Sequence, residues 1–418
     1  RTVTVHSLRI PSHEHMFASW IPRVKSGPPG TCPDGRTFAD DRDAQRWVGM
    51  TPNEQTLLAA ARDGDEAAYQ SLIGPHRGEL HAHCYRMLGS VHDAEDSLQD
   101  ALLRAWRGLP RFDGRSSLRS WLYRIATNTS LDTIAKRKKR MLPYEYSGAA
   151  NPADELSPPA AEGTWIEPYP DEAMGLGSVA DSPEARYELL ESVELAFVAA
   201  LQNLPPNQRA VLILRDVLGF SAKETAETLD VTVATVTSAL QRARESVDER
   251  LPEESQQATL RTLGDARVRE VVENYMDAMR RGDVEAVVEM LTEDSSWSMP
   301  PLPNWYSPRE EVEGFLRMKP LSGQWKWAHR PTRVNGQAAV ACYTFDEDEN
   351  AFTPFCVDVL TFEGDRIRDV TAFITRTTEI PDDATFDDWP DYEPEPSKVT
   401  AIFTRLNLPE RLDPEPVD

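Results

Sequence analysis

The spacing of apolar residues changes along this chain, and that change limits the folds open to it. From about residue 53 to 140, and again from 184 to about 250, apolar residues recur at i, i+3, i+4 and i+7, as in helices with one buried face. Two further helical segments follow residue 265. After them, stretches such as QAAVACYTF and FCVDVLTFEGDRIRDVTAFITR show the apolar–polar alternation of strands. The sequence therefore predicts a multidomain fold class, with all-α domains followed by one α+β domain.

Charge is distributed unevenly over the 418 residues, whose formal net charge is −24. Between Arg115 and Arg140, eight Lys and Arg accompany one acid, Asp132. Residues 141–183 hold eight acids, seven prolines and no Lys or Arg, and residues 381–418 hold eleven acids and three bases. We predict a flexible acidic linker and an acidic tail, in which AIFTRLNL is a candidate docking helix. The basic charge is therefore concentrated between Arg115 and Arg140, and this segment is the part of the chain suited to bind a polyanion.

The stretch SAKETAETLDVTVATVTSALQRARESV has the layout of a helix-turn-helix. Ser221 and Glu224 form a capping box, and DVTV makes the turn. Val236, Leu240, Ala243 and Val247 are predicted to face inward. The opposite face carries side chains that can hydrogen-bond to bases or phosphates. Taken alone, the pattern fits an ordinary helical hairpin equally well.

Longer motifs on both sides of the linker favour DNA binding. LPPNQRAVLILRDVLGFSAKETAETLDVTVATVTSALQRARESV resembles region 4 of bacterial sigma-70 family initiation factors, of the extracytoplasmic-function subgroup. DAEDSLQDALLRAW and FDGRSSLRSWLYRIATN resemble region 2 of the same family. The resemblance implies a non-enzymatic cytoplasmic factor that binds core RNA polymerase, through its β′ clamp helices and β flap, and promoter DNA. No cofactor and no metal are implied.

The resemblance also assigns site residues. Those for the −10 element are Phe112, Arg115, Ser116, Ser117, Arg119, Trp121, Arg124, Asn128, Asp132, Lys136 and Arg137. Those for the −35 element are Ser221, Thr235, Thr237, Ser238, Gln241, Arg242 and Arg244. Those for polymerase are Asp93, Glu95, Asp96, Gln99, Asp100 and Trp106. For Trp121, core packing is an equally good interpretation. Many relatives have a basic residue where this chain has Thr237, so Arg242 and Arg244 are the main predicted −35 anchors.

The C-terminal domain, from DARVREVVENYMDAMRRGDVEAVVEMLTED onward, resembles the SnoaL-like polyketide cyclase family, a cone of curved sheet closed by helices. Catalysis is poorly supported, because His329 is its only histidine and Asp294, Asp358 and Asp369 read better as strand-end or surface acids. Five residues line either an apolar ligand pocket or a plain core: Trp297, Met299, Trp305, Tyr306 and Phe315. The resemblance implies a domain that regulates the sigma regions in cis, with an unknown small molecule as a candidate ligand.

The four cysteines are scattered and form no CxxC pair, which argues against a zinc site or a disulfide scaffold. His81, His83 and Cys84 in HAHC are expected to belong to a half-buried helix. Apolar runs are too short for a membrane span, and the N-terminus lacks the pattern of an export signal.

These observations predict seven segments along the chain. They are a disordered segment at 1–49, with translation expected to start at Met50, region 2 at 50–140, the linker at 141–183, region 4 at 184–250, a joint at 251–264, the α+β domain at 265–380 and the tail at 381–418.

Two other function classes remain open. One is a dimeric helix-turn-helix regulator with a ligand domain, and the other is a cyclase or isomerase with an accessory DNA-binding module.

Overall fold

The computed structural model describes residues 50–161, 163–174, 183–377 and 393–414. The predicted disordered segment at 1–49 lies outside them. Five helices form the first domain, as the helical periodicity predicts. They are α1 Pro52–Arg62, α2 Glu66–Ile73, α3 Arg77–Leu88, α4 Val91–Gly108 and α5 Leu118–Ile134. Side-chain caps begin most of them, for example Ser90 before α4 and Ser117 before α5.

A second group of helices contains the predicted helix-turn-helix. After a single turn, α6 Pro143–Tyr146, come α7 Pro183–Glu191, α8 Leu195–Gln202, α9 Pro206–Leu212, α10 Ala222–Leu229, α11 Val233–Asp248 and α12 Gln256–Leu263. The predicted capping box is present, since Ser221 Oγ accepts from the Glu224 N–H and the Glu224 carboxylate accepts from the Ser221 N–H. Asp230 makes the turn in the left-handed region, at φ 54°. The four residues predicted to face inward from α11 are all buried.

The C-terminal domain is α+β, as predicted. Helices α13 Asp265–Arg281, α14 Val284–Glu289 and α15 Arg309–Met318 pack on a six-stranded sheet of order β2-β1-β6-β5-β4-β3. The strands are β1 Leu291–Ser298, β2 Trp305–Tyr306, β3 Trp327–Val334, β4 Gln337–Asp346, β5 Ala351–Glu363 and β6 Arg366–Ile374. β1 pairs with β6 in parallel, and the other pairings are antiparallel.

The two faces of the sheet bury different cores. Side chains such as Val340, Cys342 and Leu360 pack with the helices of their own domain. Alternate residues, such as Ala341, Tyr343 and Val359, join a core that extends into the first five helices. Because successive strand residues point to opposite faces, one sheet serves both cores. Region 2, the start of region 4 and the α+β domain therefore share one apolar core, while the helix-turn-helix has a core of its own.

The linker differs from its prediction. Among its described residues, Trp165, Ile166, Tyr169 and Met174 are buried. The Trp165 indole N–H donates to the carbonyl of Pro301 at 2.8 Å, and the Tyr85 hydroxyl donates to the carbonyl of Glu167 at 2.8 Å. The prediction of a free flexible linker is wrong for these residues, because neighbouring domains supply the apolar surface that the segment lacks by itself.

The described part of the tail, 393–414, contains a short helix that covers the first half of the predicted docking segment AIFTRLNL. It begins as α16 Pro396–Val399 and continues as a wider turn over Thr400–Thr404. Phe403 is fully buried, with its ring 5.3 Å from that of Tyr343. No helix among the described residues is long and apolar enough to cross a membrane.

Candidate nucleic-acid interface

An exposed polar stripe runs along α5, where the −10 contacts are predicted. Arg124, Asn128 and Asp132 recur every four residues and are exposed. Asp132 is paired with Arg104 of α4 at 2.8 Å. The basic run that follows is also exposed from Lys136 to Lys139. The basic side chains of this surface, Arg124 and Lys136 to Lys139, are therefore accessible to solvent.

The two aromatic residues predicted beside this stripe lie elsewhere. Phe112 and Trp121 are only 4% and 8% exposed, and their rings pack 5.0 Å apart in the core. Base stacking needs an accessible ring face, so the structure corrects their assignment as DNA-contacting residues. For Trp121 the packing interpretation is the better one. Arg115, Ser116 and Ser117 are exposed, and Ser117 caps α5.

Several basic residues of region 2 are held by internal partners. Arg119 pairs with Glu79 at 3.1 Å, and its guanidinium lies 5.3 Å from the ring of Phe220, next to the helix-turn-helix. Arg137 and Arg140 both pair with Asp93 of α4. A cleft of about 360 Å³ separates this basic run from the start of region 4 near Pro205.

The second helix of the helix-turn-helix, α11, presents most of its predicted face to the surface. Thr235, Thr237, Ser238, Gln241 and Arg242 are exposed, as is Ser221 at the start of α10. Arg244 is different, because it forms two hydrogen bonds to Asp216, at 2.8 and 2.6 Å. That pairing occupies its guanidinium although 42% of the side chain is exposed, so Arg244 stays a predicted −35 contact whose charge is partly neutralised by Asp216. Arg242 remains the exposed arginine of this face.

The predicted polymerase-binding face of α4 is partly available. Glu95, Asp96, Gln99 and Asp100 are exposed. Asp93 is 2% exposed and engaged by two arginines, so its assignment to this face is wrong. Trp106 is half-buried, with its ring 4.8 Å from that of Tyr69.

Two features of the exposed α4 face were not predicted from the sequence. Leu103 is 53% exposed, which is unusual for a large apolar side chain. Its place in the amphipathic pattern of α4 was the available signal. Glu95 is paired with Arg405 of the tail at 2.7 Å, and nothing local in the sequence indicates that contact.

The remaining candidates are structural. His81 bonds to the Tyr169 hydroxyl at 2.8 Å and His83 to the Thr127 hydroxyl at 2.9 Å, and burial lowers the pKa of His81 to about 4. Among the five pocket candidates, Trp297, Met299, Tyr306 and Phe315 are buried in the domain core. Trp305 instead donates to the carbonyl of Ser147 in the linker, at 2.8 Å. Core packing is therefore the better interpretation of this set.

Two of the candidate acids take up unexpected positions. Asp358 is 1% exposed and accepts a hydrogen bond from the Tyr275 hydroxyl at 2.8 Å. Asp369 accepts from the Ser296 hydroxyl at 2.7 Å. The expectation of a strand-end or surface acid is wrong for Asp358. Asp294 is exposed, as expected.

Comparisons with known proteins agree with this division of the chain. Family models match for Sigma-70 region 2 over residues 72–140, for Sigma-70 region 4 over 194–247 and for a SnoaL-like domain over 272–370. The ECF RNA polymerase sigma factor SigG of Mycobacterium tuberculosis is 38% identical over 333 residues, covering 78% of this chain and 86% of SigG. The chain belongs to the ECF RNA polymerase sigma factors.

Other relatives cover different parts of this sigma factor. SigW of Bacillus subtilis is 29% identical over 46% of this chain and 94% of its own length. The crystal structure of Mycobacterium tuberculosis SigJ matches 78% of this chain and 96% of its own, with 22% identity and a TM-score of 0.45. Family membership means that the protein binds core RNA polymerase and promoter DNA and directs transcription initiation. It is not an enzyme, and the alternative hypotheses of a free-standing regulator and of a cyclase are rejected.

Proposed function

We propose that the C-terminal domain restrains this sigma factor in cis, by holding region 2 and region 4 together until polymerase and promoter compete for the same groups. The observation that carries the proposal is the environment of Asn335, in the turn between β3 and β4. Its side-chain N–H groups donate to the carbonyl of Val193 at 2.6 Å and to the Tyr85 hydroxyl at 2.9 Å. Its side-chain oxygen accepts from the Tyr169 N–H at 2.8 Å. One fully buried side chain thus joins region 2, the linker, the start of region 4 and the C-terminal domain.

Neighbouring contacts reinforce this junction. The Gln337 side-chain oxygen accepts from the Leu195 N–H at 3.0 Å, and the Gly336 N–H donates to Asp171 at 2.7 Å. A Cβ atom at position 336 would lie 3.1 Å from the carbonyl oxygen of Leu190. Glycine therefore permits the close approach of this hairpin to region 4. The side chains of Asn335 and Gln337 are buried and hydrogen-bonded, which supports a defined docked state.

The docked state engages groups that initiation would need. Arg119 of region 2 lies beside Phe220 of region 4, although the two regions read separate promoter elements. The tail arginine, Arg405, pairs with Glu95 on the predicted polymerase face. Release of the C-terminal domain with its tail would free Glu95, and we propose that it also weakens the direct contact between Arg119 and Phe220 by removing the junction that holds the two regions together. Mass action then gives activation, because polymerase and DNA bind the released form and shift the population toward it.

We further propose roles for the exposed faces. The α5 stripe with Lys136 contacts the −10 element, and Thr235, Gln241 and Arg242 contact the −35 element. The exposed α4 face binds the β′ clamp helices and region 4 binds the β flap, in the cytoplasm. Exposure and charge support these assignments, and Arg242 is the exposed arginine of the predicted α11 face.

Run-off transcription with core polymerase tests the restraint. A chain cut after region 4 would lack the sheet and expose the surface of region 2 that shares a core with it, so deletion confounds release with misfolding. Point substitutions at the junction are the cleaner perturbation. We expect a junction variant to transcribe more than the wild-type chain at equal concentration. Equal output across promoters would contradict restraint by the docked domain.

A further inference from the structure

Two cysteines that are far apart in sequence meet inside the C-terminal domain. Cys342 of β4 and Cys356 of β5 lie directly opposite each other in the antiparallel register. Directly opposed residues project to the same face of a sheet, and here that face is the helix-covered core. The expectation from the sequence, that the cysteines are scattered, does not hold for this pair.

A carboxylate lies between the two thiols. The Cys342 sulfur is 3.3 Å from Asp358 Oδ2, and the Cys356 sulfur is 3.2 Å from Asp358 Oδ1. One ligand atom from each of the three residues lies within 4.8 Å of the others. A tetrahedral zinc ion with Zn–S near 2.3 Å and Zn–O near 2.1 Å places sulfur and oxygen ligands about 3.6 Å apart. The observed sulfur–oxygen distances, one to each oxygen of the carboxylate, differ from that value by only a few tenths of an ångström.

A histidine continues the same row. His329 of β3 lies directly opposite Cys342, so that β3, β4 and β5 each contribute one residue to a line across the sheet. Its side chain is nine-tenths buried, and neither ring nitrogen has a hydrogen-bond partner among the residues that the structure describes. A buried imidazole without a hydrogen-bond partner is destabilising because its lost hydration is not compensated, and ligation to a metal removes that cost.

We propose that Cys342, Cys356 and Asp358 form a structural zinc site in the C-terminal domain, and that His329, whose ring nitrogens lie outside their 4.8 Å cluster, turns towards it as the fourth ligand. Two thiolates, an imidazole and a carboxylate are a ligand set that suits Zn²⁺ among the common divalent ions. The Tyr275 hydroxyl, 2.8 Å from Asp358 Oδ2, orients the carboxylate as a positioning residue. Burial of all four ligands fits an ion that is acquired as the chain folds. This inference is independent of the proposed restraint in cis.

The alternative for two adjacent thiols is a reversible disulfide. Oxidation would join the two sulfurs and release two protons and two electrons to an oxidant. The arrangement favours zinc over this reaction, because both thiols are at most 5% exposed and both hydrogen-bond to a carboxylate. Reactive redox cysteines are solvent-accessible and lie in electropositive surroundings.

Metal analysis of the full chain tests the site. The protein is prepared metal-free, reconstituted with Zn²⁺, desalted and measured by mass spectrometry of the metal. We expect about one zinc ion per chain. The zinc should be lost in Cys342→Ser and Cys356→Ser and kept in Cys84→Ser, a matched change at a buried cysteine of region 2. Tyr275→Phe should weaken zinc binding by about tenfold to a hundredfold. His329→Gln removes the imidazole ligand and should also weaken zinc binding.

Cobalt gives a second readout that needs no variant. Co²⁺ bound in place of Zn²⁺ by the wild-type chain should give thiolate-to-cobalt charge-transfer absorption, together with the visible bands of a tetrahedral site. Zinc retained by the folded double variant Cys342→Ser/Cys356→Ser would overturn the proposal. So would a wild-type chain that takes up neither metal, or a thiol count that shows Cys342 and Cys356 joined as a disulfide.

Discussion

Replacing Asn335 with glycine isolates the contribution of one side chain to the docked state. Asn335 and Gly336 form the two-residue turn between Val334 and Gln337, with φ 55° and 71°. Two positive φ values are typical of a type I′ hairpin turn, which glycine adopts as readily as asparagine. Asn335→Gly therefore keeps the turn and removes only the hydrogen bonds to Tyr85, Tyr169 and Val193.

The expected magnitude follows from those three bonds. A buried hydrogen bond contributes about 1 kcal/mol net, so their loss costs the docked state about 3 kcal/mol. Each 1.4 kcal/mol is about a factor of ten in an equilibrium constant, so the released population should rise roughly a hundredfold. The gain in transcription should be smaller than this hundredfold rise, because activity stops increasing once most chains are already released.

Run-off transcription at limiting core polymerase is the assay. Asn350→Gly is a matched control, because Asn350 also has a positive φ in a hairpin turn of this domain, at 48°, but is exposed and lies outside the junction. We expect Asn335→Gly to exceed the wild-type chain and Asn350→Gly to equal it. If both variants fold normally and transcribe equally, the reasoning about the junction is refuted.

Three further outcomes are expected. Arg405→Ala should raise affinity for core polymerase by about two- to fivefold in a fluorescence binding titration, since its half-exposed pair with Glu95 is worth about 0.5–1 kcal/mol. Arg411→Ala, whose partners are Glu349 and Asp413, should have no effect, and equal effects would contradict the tail contact. Arg242→Ala should weaken promoter binding and reduce the salt slope by about one, unlike Arg250→Ala beyond the recognition face, and parallel losses would argue against a specific −35 role. Burial raises the pKa of Glu194 from 4.5 to about 8, so the folded chain keeps a proton that the unfolded chain loses between those values. The free energy of unfolding should therefore fall as pH rises from about 4.5 to 8, by at most about 1.4 kcal/mol per pH unit, and denaturation of Glu194→Gln should lack this slope. The same slope in both proteins would exclude Glu194 as its source.

The helix-turn-helix was accessible from the sequence because its determinants are local. The capping box at Ser221 and the inward face of α11 depend on residues three or four positions apart, and both were confirmed. The alternating strands of the C-terminal domain are a local signal of the same kind. Exposure of Arg242 and Gln241 follows directly from that helical face.

The prediction of a flexible linker was wrong because amino-acid composition indicates only how much apolar surface a segment can bury by itself. Trp165 and Tyr169 are buried against surfaces that other domains supply. The burial of Asp93 and Phe112 was missed for the same reason, because each was predicted from a local motif to lie at the surface. Their partners are Arg140, in the segment that follows α5, and Trp121, on the interior face of α5.

Strand register is the other information that spacing in the sequence does not contain. Cys342 and Cys356 are separated by a hairpin whose pairing brings them opposite each other, and a one-residue slip would place them on opposite faces. Register also brings His329 into the same row. A sequence with no CxxC motif can therefore still assemble two thiols, a carboxylate and an imidazole.

The distance between region 2 and region 4 tests the central claim most directly. Spin labels at Ser71 of α2 and Glu227 of α10, both exposed, report it by pulsed dipolar spectroscopy of the full chain. The account predicts a single short distance in the free protein and a longer one after core polymerase and promoter DNA are added. Asn335→Gly should populate the longer distance without polymerase. An unchanged distance in a transcriptionally active complex would contradict restraint of the two regions by the docked domain.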